Sequence, residues 1–125
     1  MASPALRQEI EKGGFITAPG VFELISALIA DRMGFKALYV TGYGTVASAL
    51  GLPDAGLATY SQMIDRIGRI AAMTKTPVIA DADTGYGGLL NVRHTVRGYE
   101  EAGVTAIRSR TRSFRKNAAT RRTGA

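Results

Sequence analysis

Two aspartates, Asp81 and Asp83, are separated by one residue and could together bind a metal ion or share a proton. They stand in segment 81–88 (DADTGYGG), directly after a run that predicts a strand. Residues two apart in an extended segment project to the same side, so these carboxylates repel unless a cation or shared proton lies between them. An all-oxygen site of this kind suits Mg²⁺. The alternative is structural: Asp83 caps the loop and Asp81 accepts hydrogen bonds from backbone N–H groups.

A third carboxylate, Asp54, lies in another loop, 51–56 (GLPDAG), which also follows a predicted strand. Loops at the carboxyl ends of parallel strands open on one face of a sheet. We therefore expect Asp54, Asp81 and Asp83 to meet there, beside the backbone of Thr41 and Gly42. Three acids on one rim favour a metal site.

Two other features could carry chemistry and are less specific. Segment 42–47 (GYGTVA) matches the dinucleotide-binding pattern G-x-G-x-x-G/A. That pattern expects an acid at the end of the next strand about 20 residues on, whereas this region is a predicted helix containing Asp65. A plain glycine-rich loop is the preferred interpretation. His94 lies in a predicted helix three residues from Arg97, which is typical of a surface residue rather than a ligand.

Predicted strands and helices alternate along the chain around these candidate residues. The patterns predict strands over 15–18, 37–40, 77–80 and 104–107, and helices over 4–12, 21–33, 59–73 and 91–102. Segments 41–56 and 81–88 are predicted loops. Strands separated by such helices imply a parallel sheet with right-handed crossovers. The pattern alone leaves open a doubly wound sheet or a portion of a closed barrel.

Length and composition exclude several classes of protein. With 125 residues, the chain has about half of the roughly 250 typical of an α/β barrel, so we expect one domain. Its 46% hydrophobic and 21% charged residues are typical of a globular chain, and the lack of Cys excludes disulfides and thiolate chemistry. Neither residues 1–12 nor the charged apolar segment 21–33 resembles a signal or membrane segment. We expect a soluble, cytoplasmic protein without a membrane partner.

The net charge of +6 is unevenly distributed along the chain. Residues 108–125 carry seven cations and no acid, whereas residues 1–107 carry nine cations and ten acids. The division predicts a domain over 1–107 and a basic, disordered tail over 108–125. A basic tail that binds nucleic acid is the alternative interpretation of this segment.

Four segments together resemble the isocitrate lyase/phosphoenolpyruvate mutase superfamily: 18–20 (APG), 34–42 (GFKALYVTG), 50–54 (LGLPD) and 81–87 (DADTGYG). The likeness is to short members such as 2-methylisocitrate lyases, dimethylmalate lyases and oxaloacetate decarboxylases, and it covers residues 1–107 in order. It implies an α/β fold, the N-terminal half of a (β/α)₈ TIM barrel truncated after about four strands. Mg²⁺ (or Mn²⁺) and an α-keto acid would lie at the carboxyl ends of the strands.

The resemblance also implies an activity and roles for residues. The activity is carbon–carbon bond cleavage in a 2-hydroxy or 2-keto di- or tricarboxylate, through a metal-stabilised enolate of a pyruvate-like unit; a phosphonomutase is the alternative. Asp81 and Asp83 match the metal-site pair, and Asp54 assists through water or substrate. The stretch that holds the substrate carboxylate and keto oxygen matches Tyr39, Thr41, Gly42 and Tyr43. Tyr43 stands where the lyases usually carry Gly or Ala, so we expect an altered pocket, and full-length relatives are expected to be homo-oligomers.

Two family motifs expected after Ile107 are missing. They are Ile-Glu-Asp, whose Glu joins the metal site, and Lys-Lys-Cys-Gly-His, whose Cys is the proposed general acid. One permitted back-translation of segment 108–124 (RSRTRSFRKNAATRRTG), with one added C in front, reads QIEDQEFPKKCGHTPDR and restores both. We therefore predict that 108–125 is read in a shifted frame and that this chain is an inactive fragment. Its catalytic residues remain unknown.

Overall fold

The computed structural model describes residues 4–111, which form a parallel β-sheet with helices between the strands. In chain order the elements are α1 (Pro4–Glu11), β1 (Gly20–Val21), α2 (Leu24–Asp31), β2 (Leu38–Val40), α3 (Gly42–Leu50), α4 (Tyr60–Met73), β3 (Val78–Asp81), α5 (Leu89–Glu101) and β4 (Ala106–Arg108). No helix within 4–111 is long and apolar enough to cross a membrane.

The four strands pair in sequence order, β1-β2-β3-β4, and every pair is parallel. Tyr39 lies opposite Ile79, and Asp81 lies opposite Arg108. Sequential parallel strands joined by helices are the arrangement of a (β/α) barrel sheet. The predicted α/β fold class is confirmed.

The hydrophobic core lies between the helices and one face of this sheet. Leu38 and Val40 of β2 are fully buried there, against the apolar stripe of α4 that the sequence predicts, including Ile67 and Ile70. Side chains alternate along a strand, so Tyr39 faces the other side of the sheet. The helices thus fix the strands, and the opposite face carries Tyr39, Asp81 and Arg108 together with Ile79.

Two predicted elements are wrong. The first strand is β1 rather than 15–18, because the carbonyls that accept from β2 belong to Pro19 and Val21, each at 3.0 Å; Phe15 is 90% exposed. Residues 42–50 of the predicted loop form α3. Its first turn is stabilised by Thr41, whose hydroxyl accepts the N–H of Gly44 at 3.2 Å.

The last predicted strand, 104–107, ends one residue later in the structure. Strand β4 includes Arg108, and the N–H of Arg110 donates to the carbonyl of Asp83 at 2.7 Å. The first residues assigned to the basic tail therefore pair with the strand and loop beside them. The rest of that tail, 112–125, lies outside the described residues, so its disorder stays a prediction.

Candidate metal and substrate site

Asp81, the last residue of β3, lies at the centre of a hydrogen-bonded group on the carboxyl edge of the sheet. Its Oδ1 accepts the N–H of Asp83 at 2.7 Å, and its Oδ2 accepts the hydroxyl of Tyr39 at 3.0 Å. The backbone hydrogen bond expected in the structural interpretation is therefore present. Each carboxylate oxygen has two lone pairs, so both oxygens can still accept a further ligand.

The loop that follows β3 has an unusual backbone. Asp83 and Tyr86 have φ values of 45° and 60°, in the left-handed region that residues with a side chain seldom adopt. The buried hydroxyl of Thr95 holds the loop by donating to the carbonyl of Gly85 at 2.9 Å. Backbone strain of this kind clusters at functional sites. Here the positive φ of Asp83 turns the chain two residues after the end of β3.

The start of α3 brings a second loop against Asp81. A Cβ atom on Gly42 would lie 3.2 Å from Asp81 Oδ2 and 3.5 Å from Asp54 Oδ2, so both carboxylates pack against this glycine. The N-terminus of a helix carries partial positive charge and favours nearby anions. Gly42 thus allows the loop carrying Asp54 to reach the end of β3.

These groups surround one small cavity of about 20 Å³, room for one water molecule or a monoatomic ion. The charged and polar residues among its lining are Asp54, Asp81, Asp83, Tyr86 and Arg110. Of the other predicted site residues, Gly42 also lines the cavity, Tyr39 reaches it through Asp81, and Thr41 caps α3. Tyr43 is 68% exposed and is not among the lining residues.

The donor set fits Mg²⁺ in its chemistry. All three carboxylates offer hard oxygen ligands to the cavity. Within residues 4–111, no three His, Cys, Asp or Glu side chains are grouped closely enough to hold a metal by themselves. Mg²⁺ is usually held by one or two carboxylates, with water and substrate completing its shell. The site is therefore suited to a partly hydrated ion rather than a closed protein cage.

Arg108 is a site residue that the sequence reasoning missed. Its Nη1 donates to the hydroxyl of Tyr39 at 3.3 Å and lies 3.8 Å from Asp81 Oδ2. The sequence interpretation placed Arg108 and Arg110 in the tail because composition changes there. The available signal was their position directly after a strand, since all carboxyl ends of a parallel sheet meet at one edge.

A cluster of aromatic side chains lies beneath the acid loop. The hydroxyls of Tyr86 and Tyr99 are 3.1 Å apart, and that of Tyr99 donates to the carbonyl of Asp81 at 3.4 Å. The ring of Tyr60 packs on His94, with centroids 4.7 Å apart. His94 is exposed, in line with the surface position expected from the sequence. The cluster supports the loop from the side of α5.

Burial raises the pKa of Tyr86 to about 12, from an ordinary value of 10.0. Between these values the folded chain keeps a proton that the unfolded chain has lost. Tyr86 should therefore leave the free energy of unfolding unchanged below about pH 10 and lower it as pH rises towards about 12. The free energy of unfolding can be measured by urea titration at about pH 9 and at about pH 11. Its decrease between these two pH values should be smaller for Tyr86→Phe than for the wild type.

The matched control for this titration is Tyr43→Phe, since Tyr43 is exposed. This variant should retain the pH dependence of the wild type. An equal fall in the wild type and Tyr86→Phe would contradict the prediction.

A parallel βα sheet with carboxylates on the loops beyond its strand ends defines the class of barrel-type α/β proteins that bind ligands at the carboxyl edge. Within that class, the family model of phosphoenolpyruvate phosphomutase matches residues 6–109. The chain belongs to this family, within the isocitrate lyase/phosphoenolpyruvate mutase superfamily.

Comparisons with individual proteins agree with the family. The chain is 46% identical over 102 residues to the 2,3-dimethylmalate lyase of Eubacterium barkeri, covering 82% of this chain and 35% of that protein. It is 43% identical over 102 residues to the isocitrate lyase of Haloferax volcanii, covering 82% of this chain and 30% of that protein. The chain thus spans about a third of the length of these relatives.

A solved structure of a phosphonopyruvate hydrolase in complex with oxalate and Mg²⁺ resembles this fold with a TM-score of 0.80. The match has 32% sequence identity and covers 90% of this chain and 40% of the other. The family and the fold are thereby established independently of the site geometry.

Proposed function

We propose that the described residues form the metal-binding part of a Mg²⁺-dependent carbon–carbon lyase site, with Mn²⁺ as an alternative ion. The observation that carries this proposal is the convergence of Asp54, Asp81 and Asp83 on one ion-sized cavity at the carboxyl edge of the sheet. The relatives named as lyases, and the relative solved with oxalate and Mg²⁺, support it.

Each residue has a role that follows from its placement. Asp81 and Asp83 would hold the ion, and Asp54 would act through a water molecule or the substrate. Tyr39 orients Asp81 by donating to Oδ2. When bound, Mg²⁺ supplies positive charge that offsets the charge developing on a keto oxygen as a C–C bond breaks.

The substrate class follows from the family and from the rim of the site. We infer a 2-hydroxy or 2-keto di- or tricarboxylate with a pyruvate-like unit, whose carboxylate would lie near Thr41 and Gly42 at the start of α3. Backbone N–H groups at a helix start favour such an anion. Tyr43, exposed beside them, would contact the distal part of the substrate. Phosphonomutase chemistry on a phosphonate is the alternative within the same family.

Binding of oxalate tests the metal and substrate site together. Oxalate is a small dianion that resembles a pyruvate enolate in shape and charge. We expect the 125-residue chain to bind Mn²⁺, and to bind oxalate only when Mn²⁺ is present, as measured by calorimetric titration. Oxalate binding of equal strength with and without Mn²⁺ would contradict the proposed site.

We propose further that this chain does not turn over substrate. It contains no Cys, and Arg110 lines the cavity at the position where the proposed shifted frame would encode the Glu of Ile-Glu-Asp. We expect no Mg²⁺-dependent release of pyruvate, either from 2-methylisocitrate or from oxaloacetate, in a coupled dehydrogenase assay. Release well above the uncatalysed rate would overturn this proposal.

The frame of residues 108–125 is tested by the DNA that encodes them. We expect that restoring one base ahead of the codon for Arg108 opens a frame through Ile-Glu-Asp and Lys-Lys-Cys-Gly-His and beyond. Sequencing from the codon of Val104 onward measures this directly. Codons that cannot yield these motifs would show that the basic segment is authentic, and its nucleic-acid binding would then be measured against salt concentration.

A further inference from the structure

Arg108 occupies a position that the pairing of the sheet dictates. It lies opposite Asp81 in the parallel register of β3 and β4. Its guanidinium Nη1 is 3.8 Å from Asp81 Oδ2 and 3.3 Å from the hydroxyl of Tyr39. The side chain therefore extends along the same edge of the sheet as the carboxylate group.

The two oxygens of Asp81 have different surroundings. Oδ1 accepts the N–H of Asp83 at 2.7 Å. Oδ2 faces Gly42, accepts from Tyr39, and is the oxygen nearest to Arg108. The remaining lone pair on Oδ2 is thus within reach of a guanidinium group, and the same lone pair would serve a divalent cation.

A second arginine lies beside the same cavity. Arg110 is among the lining residues, and its backbone N–H donates to the carbonyl of Asp83 at 2.7 Å. Three carboxylates and two arginines are therefore close together, and the guanidinium groups stay protonated in proteins. A divalent ion that enters this group meets less net negative charge than the carboxylates alone would offer.

We propose that Arg108 is an internal cation that competes with the divalent metal ion for Asp81. The inference rests on the proposed metal site and extends it by naming what controls the occupancy of that site. The side chain of Arg108 is 59% exposed, so its ion pair is weak and can open. A divalent ion bound to Oδ2 would compete with the guanidinium 3.8 Å away for the charge of Asp81, which lowers the affinity without abolishing it.

The test is a titration of the 125-residue chain with Mn²⁺, with free Mn²⁺ followed by electron paramagnetic resonance. Arg108→Gln keeps a side chain that can donate to Tyr39 and removes the charge. We expect its Kd for Mn²⁺ to fall about three- to tenfold. This change lies between the effect of losing a weak surface ion pair and the effect of removing repulsion between two like charges at a protein surface.

Two further variants separate this mechanism from a general effect of charge. Arg69→Gln removes an arginine of similar exposure, 66%, whose partner is Asp65, and should leave the Kd at its wild-type value. In an Asp81→Asn background, Arg108→Gln should no longer increase the affinity.

Equal Kd values for wild type and Arg108→Gln would overturn the inference while leaving the metal site in place. An equal gain in Arg69→Gln, or a gain that persists with Asp81→Asn, would overturn it as well. No Mn²⁺ binding by either wild type or Arg108→Gln would overturn the proposed metal site itself.

Discussion

Replacing Asp81 by Asn is expected to lower the affinity for Mn²⁺ by at least about 100-fold, beyond the 10- to 100-fold cost of losing groups that merely support a metal ligand. The substitution removes the charge of the residue at the centre of the site and preserves its shape. In the wild type the N–H of Asp83 donates to Asp81 Oδ1 at 2.7 Å, and the amide oxygen of an asparagine can still accept this hydrogen bond. The loss should therefore be specific to metal binding, measured by the same Mn²⁺ titration.

The control for this variant is Asp65→Asn. Asp65 is an exposed acid on α4 that pairs with Arg69 at 3.0 Å. Its replacement changes the net charge by the same amount and should leave Mn²⁺ affinity close to the wild-type value. Thermal unfolding without metal shows whether Asp81→Asn keeps the fold. A folded Asp81→Asn variant with wild-type affinity would contradict the proposed site.

Replacing Ile67 by Ala is expected to lower the free energy of unfolding by about 2–5 kcal/mol. Ile67 is fully buried on α4, among the residues that pack this helix against the sheet. The cost combines lost transfer of apolar groups from water with the cavity left behind. Urea denaturation followed by circular dichroism at two protein concentrations measures the change and reveals any contribution from self-association.

Ile29→Ala is the matched control, because Ile29 of α2 is 59% exposed. Surface substitutions of this kind usually change stability by less than about 0.5 kcal/mol. If both variants lose the same amount, the assignment of the core face of α4 is wrong.

The acid residues of the site could be predicted from the sequence because their signal is local. Asp81 and Asp83 follow directly after an apolar run that forms β3, and the spacing of two is visible without any tertiary contact. Asp54 follows from the rule that loops after parallel strands share one edge. The structure brings all three to one cavity, as expected. Their roles as ligands remain a prediction.

The errors lie where long-range contacts override the local pattern. Segment 15–18 is a short β-type run, yet the N–H groups of Tyr39 and Thr41 donate to Pro19 and Val21 instead. Segment 42–50 is rich in small residues, which predicts a loop. The hydroxyl of Thr41 and packing of Val46 in the core make it a helix. These choices depend on neighbours distant in sequence, which a window of residues does not contain.

The order of the βα units and the buried stripe of α4 could be predicted from the sequence, because each depends on a period of 2 or 3.6 within a single element. The acidic residues could be chosen as candidates because they lie in loops that follow predicted strands. The packing of Gly42 against Asp54 and Asp81, and the position of Arg108 opposite Asp81, depend on contacts between distant segments. Strand register and loop approach are set by many weak contacts between segments, so the charge balance of the site follows from the fold rather than from any one segment.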